Sequence, residues 1–423
     1  MVPAPDPTSS RPARAGLDRI GYGLFSGHLL TVFGLALSNI LLALTLLTAP
    51  WTLRARRAAR PELGSLAPML VPLGVYVLWL VGSIVASFDP VASLSGLREL
   101  FTLSALPLAP FLVSGEREVR RLVDALIAVG ALLAGVGLAQ YLVGYGGIDR
   151  RIRGPFSHYM TFSGLLLICD LLLIASLLLS RSRRRQIWRW GVLVVLNVAL
   201  LGTLTRSAWV GIGLTLTLYL LVRTPRWLLA YVPAAIVFAL LAPPRILHRA
   251  ESITDLQDRS NYDRLCMLEA GFTMVAERPW FGMGPEMVER RYPIYRPPSA
   301  PRYEIPHLHN SFLQLAAERG LPTLAAYLAL LAGSAAVAWR RYVREGGDAG
   351  PRADLYLGML LALLALNLAG LFENNWGDTE VQRPALLLLA IPFCLGAGGG
   401  KAPVTREVSV NSPRAASPAR TAQ

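Results

Sequence analysis

The chain is poor in charge for its length. Only 16% of its 423 residues are Asp, Glu, Lys or Arg, whereas soluble globular domains average about 25%. No formal charge occurs from Ile20 to Leu53. As a helix, that run would extend about 50 Å, well beyond the roughly 30 Å hydrocarbon core of a bilayer. The deficit therefore excludes a large soluble protein and favours a chain whose surface mostly meets lipid.

Cysteine is scarce as well. Cys169 and Cys394 lie in apolar runs and only Cys266 lies in a polar segment, so no disulfide framework is expected. No Asp-x-Asp motif and no histidine cluster with metal-ligand spacing occurs, so we predict no metal and no cofactor. A cleavable signal peptide is also not expected, because the first apolar run is too long and continues into further apolar segments.

The net charge of +14 is carried mostly by arginine. These arginines lie in short loops between apolar runs, a placement that indicates membrane topology and contact with lipid headgroups rather than nucleic acid. The apolar segments predict an all-α polytopic membrane protein with about twelve transmembrane helices. Their approximate ranges are 20–34, 36–53, 66–87, 97–114, 122–143, 157–180, 188–204, 207–222, 227–243, 322–339, 353–372 and 382–398.

The positive-inside rule supports twelve spans with a cytoplasmic N-terminus, because nearly every short arginine cluster then falls on one side. The predicted organisation is a cytoplasmic arm, nine spans, a large periplasmic loop between spans 9 and 10, three further spans and a disordered cytoplasmic tail. The corresponding ranges are 1–19, 20–243, 244–321, 322–398 and 399–423.

Some arginines fall on the outer side, against this rule. They are Arg150, Arg151 and Arg153 before the sixth span, Arg206 alone in an apolar run, and those of the large loop. Charge near membrane depth usually marks a functional site. Arg206 is therefore a candidate, although an interhelical structural role is the alternative. For Arg150 and Arg151, headgroup contact and simple solvation are both open.

The large loop contains nine arginines and nine acidic residues. Apolar residues at helical spacing predict an amphipathic helix at about 262–276, followed by a turn in which Gly282 and Gly284 adopt positive φ. After His307-Leu308-His309, the residues Asn310, Gln314 and Glu318 recur every four positions. This spacing places them on one face of a short interfacial helix that would present its polar side to a cavity.

The pattern His309-Asn310-x-x-Leu313-Gln314-x-x-x-Glu318-x-Gly320 resembles the signature of the O-antigen ligase and polymerase superfamily. Three other motifs are similar to those of the same family, and the resemblance spans residues 140 to 380. They are Arg264 with Glu277-Arg278-Pro279-x-x-Gly282-x-Gly284, Thr205-Arg206-Ser207, and Arg153-Gly154-Pro155-Phe156. Within the family the chain looks most like the O-antigen ligases, which join a lipid-linked polysaccharide to lipid A–core.

The resemblance implies a GT-C-like glycosyltransferase of the bacterial inner membrane with its active site facing the periplasm. Its partners would be an undecaprenyl diphosphate-linked glycan as donor, lipid A–core as acceptor, and membrane lipids. His309 is the expected general base, because histidine titrates near pH 6.5. Arg206 is the expected group that stabilises the diphosphate, because a guanidinium binds phosphate bidentately. The remaining expected substrate-binding residues are Arg151, Arg153, Arg264, His307, Asn310, Gln314 and Glu318.

Several alternatives stay open at this point. His309 can be a mere neighbour of the cap of the next helix, and Trp376 can stack on sugar or serve as an interfacial aromatic residue. An O-antigen polymerase or O-oligosaccharyltransferase of the same superfamily would use a different acceptor. A lipid-linked glycan transporter would show paired broken helices in both halves, and we find only one broken run, near Arg206.

Overall fold

All regular structure is helical in the computed structural model, which describes residues 10–56, 61–144, 151–179 and 183–396. The predicted tail 399–423, Arg150 and the first nine residues of the predicted N-terminal arm lie outside these ranges. In chain order the α-helices are α1 (Ser10–Leu30), α2 (Leu35–Ala55), α3 (Ala67–Val85), α4 (Pro90–Ser93), α5 (Leu97–Leu103), α6 (Ala105–Leu112), α7 (Glu116–Leu142), α8 (Tyr159–Leu179), α9 (Arg183–Gly202), α10 (Arg206–Arg223), α11 (Leu228–Leu241), α12 (Pro244–Glu251), α13 (Arg259–Glu277), α14 (Met287–Tyr295), α15 (Ser311–Arg319), α16 (Leu321–Arg344), α17 (Ala353–Ala369) and α18 (Thr379–Gly396).

Several helices are long and apolar enough to cross a membrane, as expected of a polytopic membrane protein. Five meet both criteria within the described residues: α2, α3 with its preceding turn, α7, α8 and α16. The other predicted segments coincide with helices that are shorter or less apolar on average. The fourth segment is divided into α5 and α6 at Ser104. The number of twelve spans therefore stays a prediction.

Helix α8 forms the centre of the core. It is apolar around its whole circumference and almost entirely buried, as expected for a helix surrounded by other helices. It packs most extensively against α17. Small residues allow such close approach: a Cβ atom at Gly358 of α17 would lie 3.1 Å from the Leu172 side chain. The core thus holds α8 and α17 in fixed positions below the loops at their ends.

The large loop folds into a second, smaller core that rests on the helix bundle. Its helices α13, α14 and α15 bury a cluster rich in methionine, including Met267, Met274 and Met283. The predicted amphipathic helix is present as α13, and Asp258 caps it by accepting hydrogen bonds from two backbone N–H groups. The loop is therefore an ordered body rather than a mobile linker.

A backbone contact fixes this loop body against α15. The N–H groups of Met283 and Gly284 donate to the carbonyl oxygens of Ala317 and Glu318, at 2.8 and 2.9 Å. Gly282 and Gly284 have φ of +66° and +107°, so the predicted positive-φ turn is confirmed. A Cβ atom at Gly320 would lie 2.1 Å from the Trp280 carbonyl oxygen. Glycine is thus required on both sides of the contact.

Candidate active site

His309 lies where the loop ends, immediately before α15. Its φ of +49° places it in the left-handed region, which non-glycine residues rarely adopt, although Asn, Asp and His do so more often than others. Leu204, just before Arg206, has a φ of +53°. Unfavourable backbone conformations cluster at functional sites. Of the two residues predicted to be catalytic, His309 occupies such a position and Arg206 follows one after two residues.

The polar residues after His309 hold this turn in place. Asn310 Oδ1 accepts a hydrogen bond from the Leu313 N–H at 2.9 Å and so caps α15, while Asn310 Nδ2 donates to the Leu371 carbonyl. Gln314 Oε1 accepts from the Leu308 N–H at 2.9 Å. Asn310 and Gln314, which we expected to bind substrate, therefore use these groups to position His309. Helix α15 is largely buried, and its Gln314 and Glu318 line a cavity, as predicted for the polar side of this helix.

Glu373 lies behind the imidazole of His309. Each of its carboxylate oxygens is 3.1 Å from His309 Nδ1, and the residue is 3% exposed. Burial raises the pKa of Glu373, but the hydrogen bond from His309 and the nearby His307 and Arg264 lower it by more, to about 2. An ionised Glu373 accepts a hydrogen bond from the Nδ1–H group of a neutral His309. Nε2 of His309 is then the acceptor nitrogen.

His307 packs edge-on against His309, with ring centroids 4.3 Å apart. The Nδ1 atom of His307 accepts a hydrogen bond from the backbone N–H of His309 at 3.3 Å. The Nε2 atom of His307 lies 3.8 Å from a Glu373 oxygen. Burial lowers the pKa of His307 to about 4. His307 is therefore neutral at pH 7 and supports the turn that presents His309.

The sequence analysis missed three residues of this site: Glu373, His158 and Asp378. His158, just before α8, interacts electrostatically with Glu373, His309 and Arg151, and burial lowers its pKa. Asp378 accepts a hydrogen bond from Thr161 Oγ1 at 2.9 Å, and burial raises its pKa to about 7. The signal in the sequence was the polar segment 373–378 between two apolar runs, for which we considered only Trp376.

Arg206 begins α10 after the break that separates it from α9. Its Nη1 donates to the carbonyl and hydroxyl oxygens of Ser252, at 2.7 and 2.8 Å, and its Nη2 is 3.2 Å from Asp258 Oδ1. The residue is buried. Arg206 thus joins the helix bundle to the start of the large loop, and Asp258 partly neutralises its charge.

Other arginines lie near Arg206 and Asp258. Arg264 Nη2 lies 3.9 Å from Glu373, and burial together with the charge of Arg206 lowers its pKa despite the carboxylate. Burial and the charges of Arg206 and Arg151 likewise lower the pKa of Arg249, whose Nε has no hydrogen-bond partner within the described residues. Burial is the larger cause of both shifts, and the neighbouring arginines add to it because four cations share two carboxylates, Asp258 and Glu373. We call Arg151, Arg206, Arg249 and Arg264 the arginine cluster.

The segment 151–156 joins the arginine cluster through its backbone. Ile152 N–H donates to the Gly202 carbonyl at 2.9 Å, at the end of α9. The Arg151 guanidinium lies 4.3 Å from the centre of the Tyr159 ring. The segment therefore places Arg151, and its neighbour Arg153, beside the break before Arg206.

A cavity of about 710 Å³ has His307 in its wall. Its walls include Gln314, Glu318 and Asp378. Glu318 is buried, and burial raises its pKa to about 7. Trp376 also contributes to the wall, but it is 5% exposed and donates its indole N–H to Tyr76 at 3.0 Å. Trp376 therefore packs inside the protein, with its indole N–H already occupied.

His307, His309 and Glu373 place three ligand atoms within 4.8 Å of one another, an arrangement that can hold a metal ion. The sequence predicted no histidine cluster with metal-ligand spacing, but the fold brings two histidines and a carboxylate together at such a spacing. Two features nevertheless disfavour a divalent cation. His307 Nδ1 accepts an N–H, so the neutral ring carries its proton on Nε2, the atom that faces Glu373. Arg264 also places a positive charge beside the same carboxylate. These three side chains are therefore better suited to proton transfer than to binding a divalent cation.

A comparison with known protein families gives a match to the part of the chain that contains most of the site residues described above. Residues 190–328 match a family model described as O-antigen ligase. The match includes Arg206, Arg249, Arg264, His307 and His309, whereas Glu373 lies beyond it. No curated protein matches the chain significantly. Members of the matched family are glycosyltransferase-like enzymes of glycan processing. The chain therefore carries a domain of the O-antigen ligase superfamily.

Proposed function

We propose that this protein transfers a glycan from undecaprenyl diphosphate to a sugar hydroxyl of lipid A–core, as an O-antigen ligase. The observation that carries the proposal is the hydrogen bond between His309 and the buried Glu373, with Arg264 3.9 Å from the same carboxylate. A base oriented by a carboxylate, next to a cluster of cations, is what transfer from a diphosphate leaving group requires.

His309 is the proposed general base. Its Nε2 accepts the proton of the acceptor hydroxyl while the hydroxyl oxygen attacks the anomeric carbon of the donor sugar. Glu373 keeps the proton of the neutral ring on Nδ1 and stabilises the imidazolium that forms, the role that the carboxylate plays in a Ser-His-Asp triad. Direct attack forms the new glycosidic bond on the face opposite the leaving group. The configuration is therefore inverted without a covalent enzyme intermediate.

The arginine cluster is the proposed site of the diphosphate. The bond between the anomeric carbon and the phosphate oxygen breaks, and undecaprenyl diphosphate leaves with the bonding electrons. Arg264 and Arg249 are the most available cations, because Arg206 is engaged with Ser252 and Asp258. A diphosphate supplies the anions that this cluster lacks. Arg206 and Arg153 complete the proposed site, and no metal ion is needed.

We further propose that this site faces the periplasm, with the loop 244–321 between the ninth and tenth spans. The short arginine-rich loops then lie in the cytoplasm of a bacterium whose inner membrane holds the protein. Both substrates are lipids, so a site between the loop body and the outer helix ends is accessible to each of them from the bilayer.

Purified protein with each substrate tests the proposal. We expect His309→Ala and Arg206→Ala to insert into the membrane and fold, yet to lose transfer to lipid A–core. The matched controls His248→Ala and Arg245→Ala change exposed residues of the same loop and should retain transfer. Full activity of the His309→Ala or Arg206→Ala enzyme would rule out the role assigned to that residue.

An O-antigen polymerase is the main alternative, since it differs only in its acceptor. Supplying the donor alone separates the two: a polymerase elongates the lipid-linked glycan, whereas a ligase requires lipid A–core. A transporter would move the lipid-linked glycan without forming a new glycosidic bond. The paired His309 and Glu373 favour a reaction, because transport needs no general base.

A further inference from the structure

Arg383, in the second turn of α18, is a buried cation without a salt-bridge partner among the described residues, and only the charge of Glu380, one helical turn earlier, partly offsets its own. It is 0% exposed, and only its Nη2 has a partner, the Asn39 side-chain oxygen. Its Nε and Nη1 make no hydrogen bond, and no carboxylate pairs with it in the part of the chain that the structure describes. Burying an unpaired charge costs several kcal/mol or more. A residue retained at such a cost needs a function outside the fold itself.

The other deeply buried arginines of the bundle differ from Arg383 in this respect. Arg56 pairs with Glu118 at 3.0 Å, and Arg189 lies 3.5 Å from Asp124. The bundle therefore supplies a carboxylate where an arginine is structural. An arginine near membrane depth that lacks one is a candidate ligand-binding group.

Arg383 forms part of the wall of the 710 Å³ cavity. Asn39, the hydrogen-bond partner of Arg383, belongs to the same wall, as do Leu35 of α2 and Thr102 of α5. His307 belongs to the wall as well. Arg383 is the fifth residue of α18 and so lies about 6 Å along the helix from its start.

We propose that Arg383 binds a phosphate monoester of a lipid that enters this cavity. The phosphate supplies the missing counter-charge and accepts hydrogen bonds from the unpartnered Nε or Nη1. The lipid's saccharide or polar end then extends toward His307. This site is separate from the arginine cluster. It relies on the proposed function only for the reaction that the bound lipid enters, and binding can be measured without any transfer.

Two lipids carry this chemistry, a phosphorylated glycolipid acceptor and the polyprenyl phosphate carrier. The test uses the full-length protein in maltoside micelles, which contain no phosphate. Equilibrium binding is measured with bisphosphorylated lipid A, its dephosphorylated form, and undecaprenyl phosphate. We expect Arg383→Gln, which keeps a donor for Asn39, to weaken binding of a phosphorylated lipid at least about tenfold. Binding of dephosphorylated lipid A should not change.

The matched control is Arg98→Gln, an exposed arginine of the same cavity wall that pairs with Glu286. It should leave each affinity within about twofold. A loss with lipid A alone identifies the acceptor as the ligand, and a loss with undecaprenyl phosphate identifies the carrier. Unchanged affinity of Arg383→Gln for both phosphorylated lipids would overturn the proposal, and so would a wild-type affinity for dephosphorylated lipid A equal to that for both phosphorylated lipids.

A stability measurement separates binding from a structural role. Arg383→Met removes an uncompensated buried charge, so we expect its unfolding temperature to equal or exceed that of the wild type. A marked fall in both Arg383→Met and Arg383→Gln would assign Arg383 to the fold and contradict the proposal. The His309→Ala variant should bind the phosphorylated lipid normally. Normal binding by a wild-type protein that transfers no glycan would refute the proposed function and leave this site intact.

Discussion

The replacement Glu373→Gln tests the proposed catalytic pair most directly. It keeps the size of the buried side chain and removes its charge. A glutamine amide can donate to His309 Nδ1, which moves the ring proton to Nε2, and the nitrogen that must accept the substrate proton is then occupied. Loss of the corresponding carboxylate in a catalytic triad lowers kcat by about 10⁴. We expect kcat to fall by about 10² to 10⁴, with little change in KM.

The electrostatics of the site give a second estimate. The pKa of Glu373 falls from 4.5 to about 2 in the folded protein. A difference of that size corresponds to a net of about 3 kcal/mol, which is what remains after burial disfavours the carboxylate and His309, His307 and Arg264 favour it by more. Part of this interaction strengthens when His309 gains a proton during the reaction. A loss of about 3 kcal/mol from the transition state would slow transfer by about two orders of magnitude, at the lower end of the expected range.

The assay is initial-rate transfer to lipid A–core with both substrates varied, so that kcat and KM are obtained separately. Glu269→Gln is the matched control, because Glu269 is an exposed carboxylate of α13 in the same loop body. Glu373→Asp retains the charge and should recover part of the rate. A Glu373→Gln enzyme with wild-type kcat would refute the reasoning, because His309 would then need no carboxylate. A change in KM alone would assign Glu373 to binding.

Further predictions concern the leaving group, pH, metal and topology. Arg264→Ala should lower kcat at least about 100-fold and Arg264→Lys less, and equal rates for both would exclude bidentate binding of phosphate. The pKa of Glu318 is about 7 in the folded protein, above its unfolded value. The contribution of Glu318 to stability is therefore complete below pH 4.5 and is lost as the pH rises through 7. Glu318→Gln should raise the unfolding temperature at pH 8.5 but not at pH 4, and an equal effect at both pH values would contradict the raised pKa. Transfer should persist in EDTA, and a loss restored by added Mg²⁺ would contradict the metal-free mechanism. Cys266 is buried and therefore unsuited to labelling. In a protein without its native cysteines, Thr273→Cys should react with a membrane-impermeant thiol reagent from the periplasmic side, and the control Arg344→Cys should react only from the cytoplasmic side. The reverse pattern would invert the proposed topology.

The sequence predicted the helical class, the break before Arg206, the amphipathic helix and the glycine turn, because each depends on local spacing. It also drew attention to His309 through a pattern of neighbouring residues. It did not reveal Glu373 as the partner of His309, because the two are 64 positions apart and meet only through the packing of α15 against the end of α17. Nor could spacing show that Arg206 is held by Ser252 and Asp258.

The roles of Asn310 and Gln314 illustrate the same limit. Their four-residue spacing correctly places them on one helix, but it cannot distinguish a side chain that contacts substrate from one that caps a helix or supports a turn. That distinction depends on which backbone groups the fold leaves without partners. Leu308 N–H and Leu313 N–H are such groups, and Gln314 and Asn310 satisfy them.

The backbone contact between residues 283–284 and 317–318 bears on how substrate preference can change over time. Its hydrogen bonds join main-chain atoms, so the loop body keeps its position relative to His309 as long as the glycines beside the contact remain. Side chains elsewhere on α13 and α14 can then vary without displacing the base. Such a protein can acquire a preference for new glycans by surface substitution, and grafting the loop between relatives should succeed when the glycine-bearing joints are transferred with it.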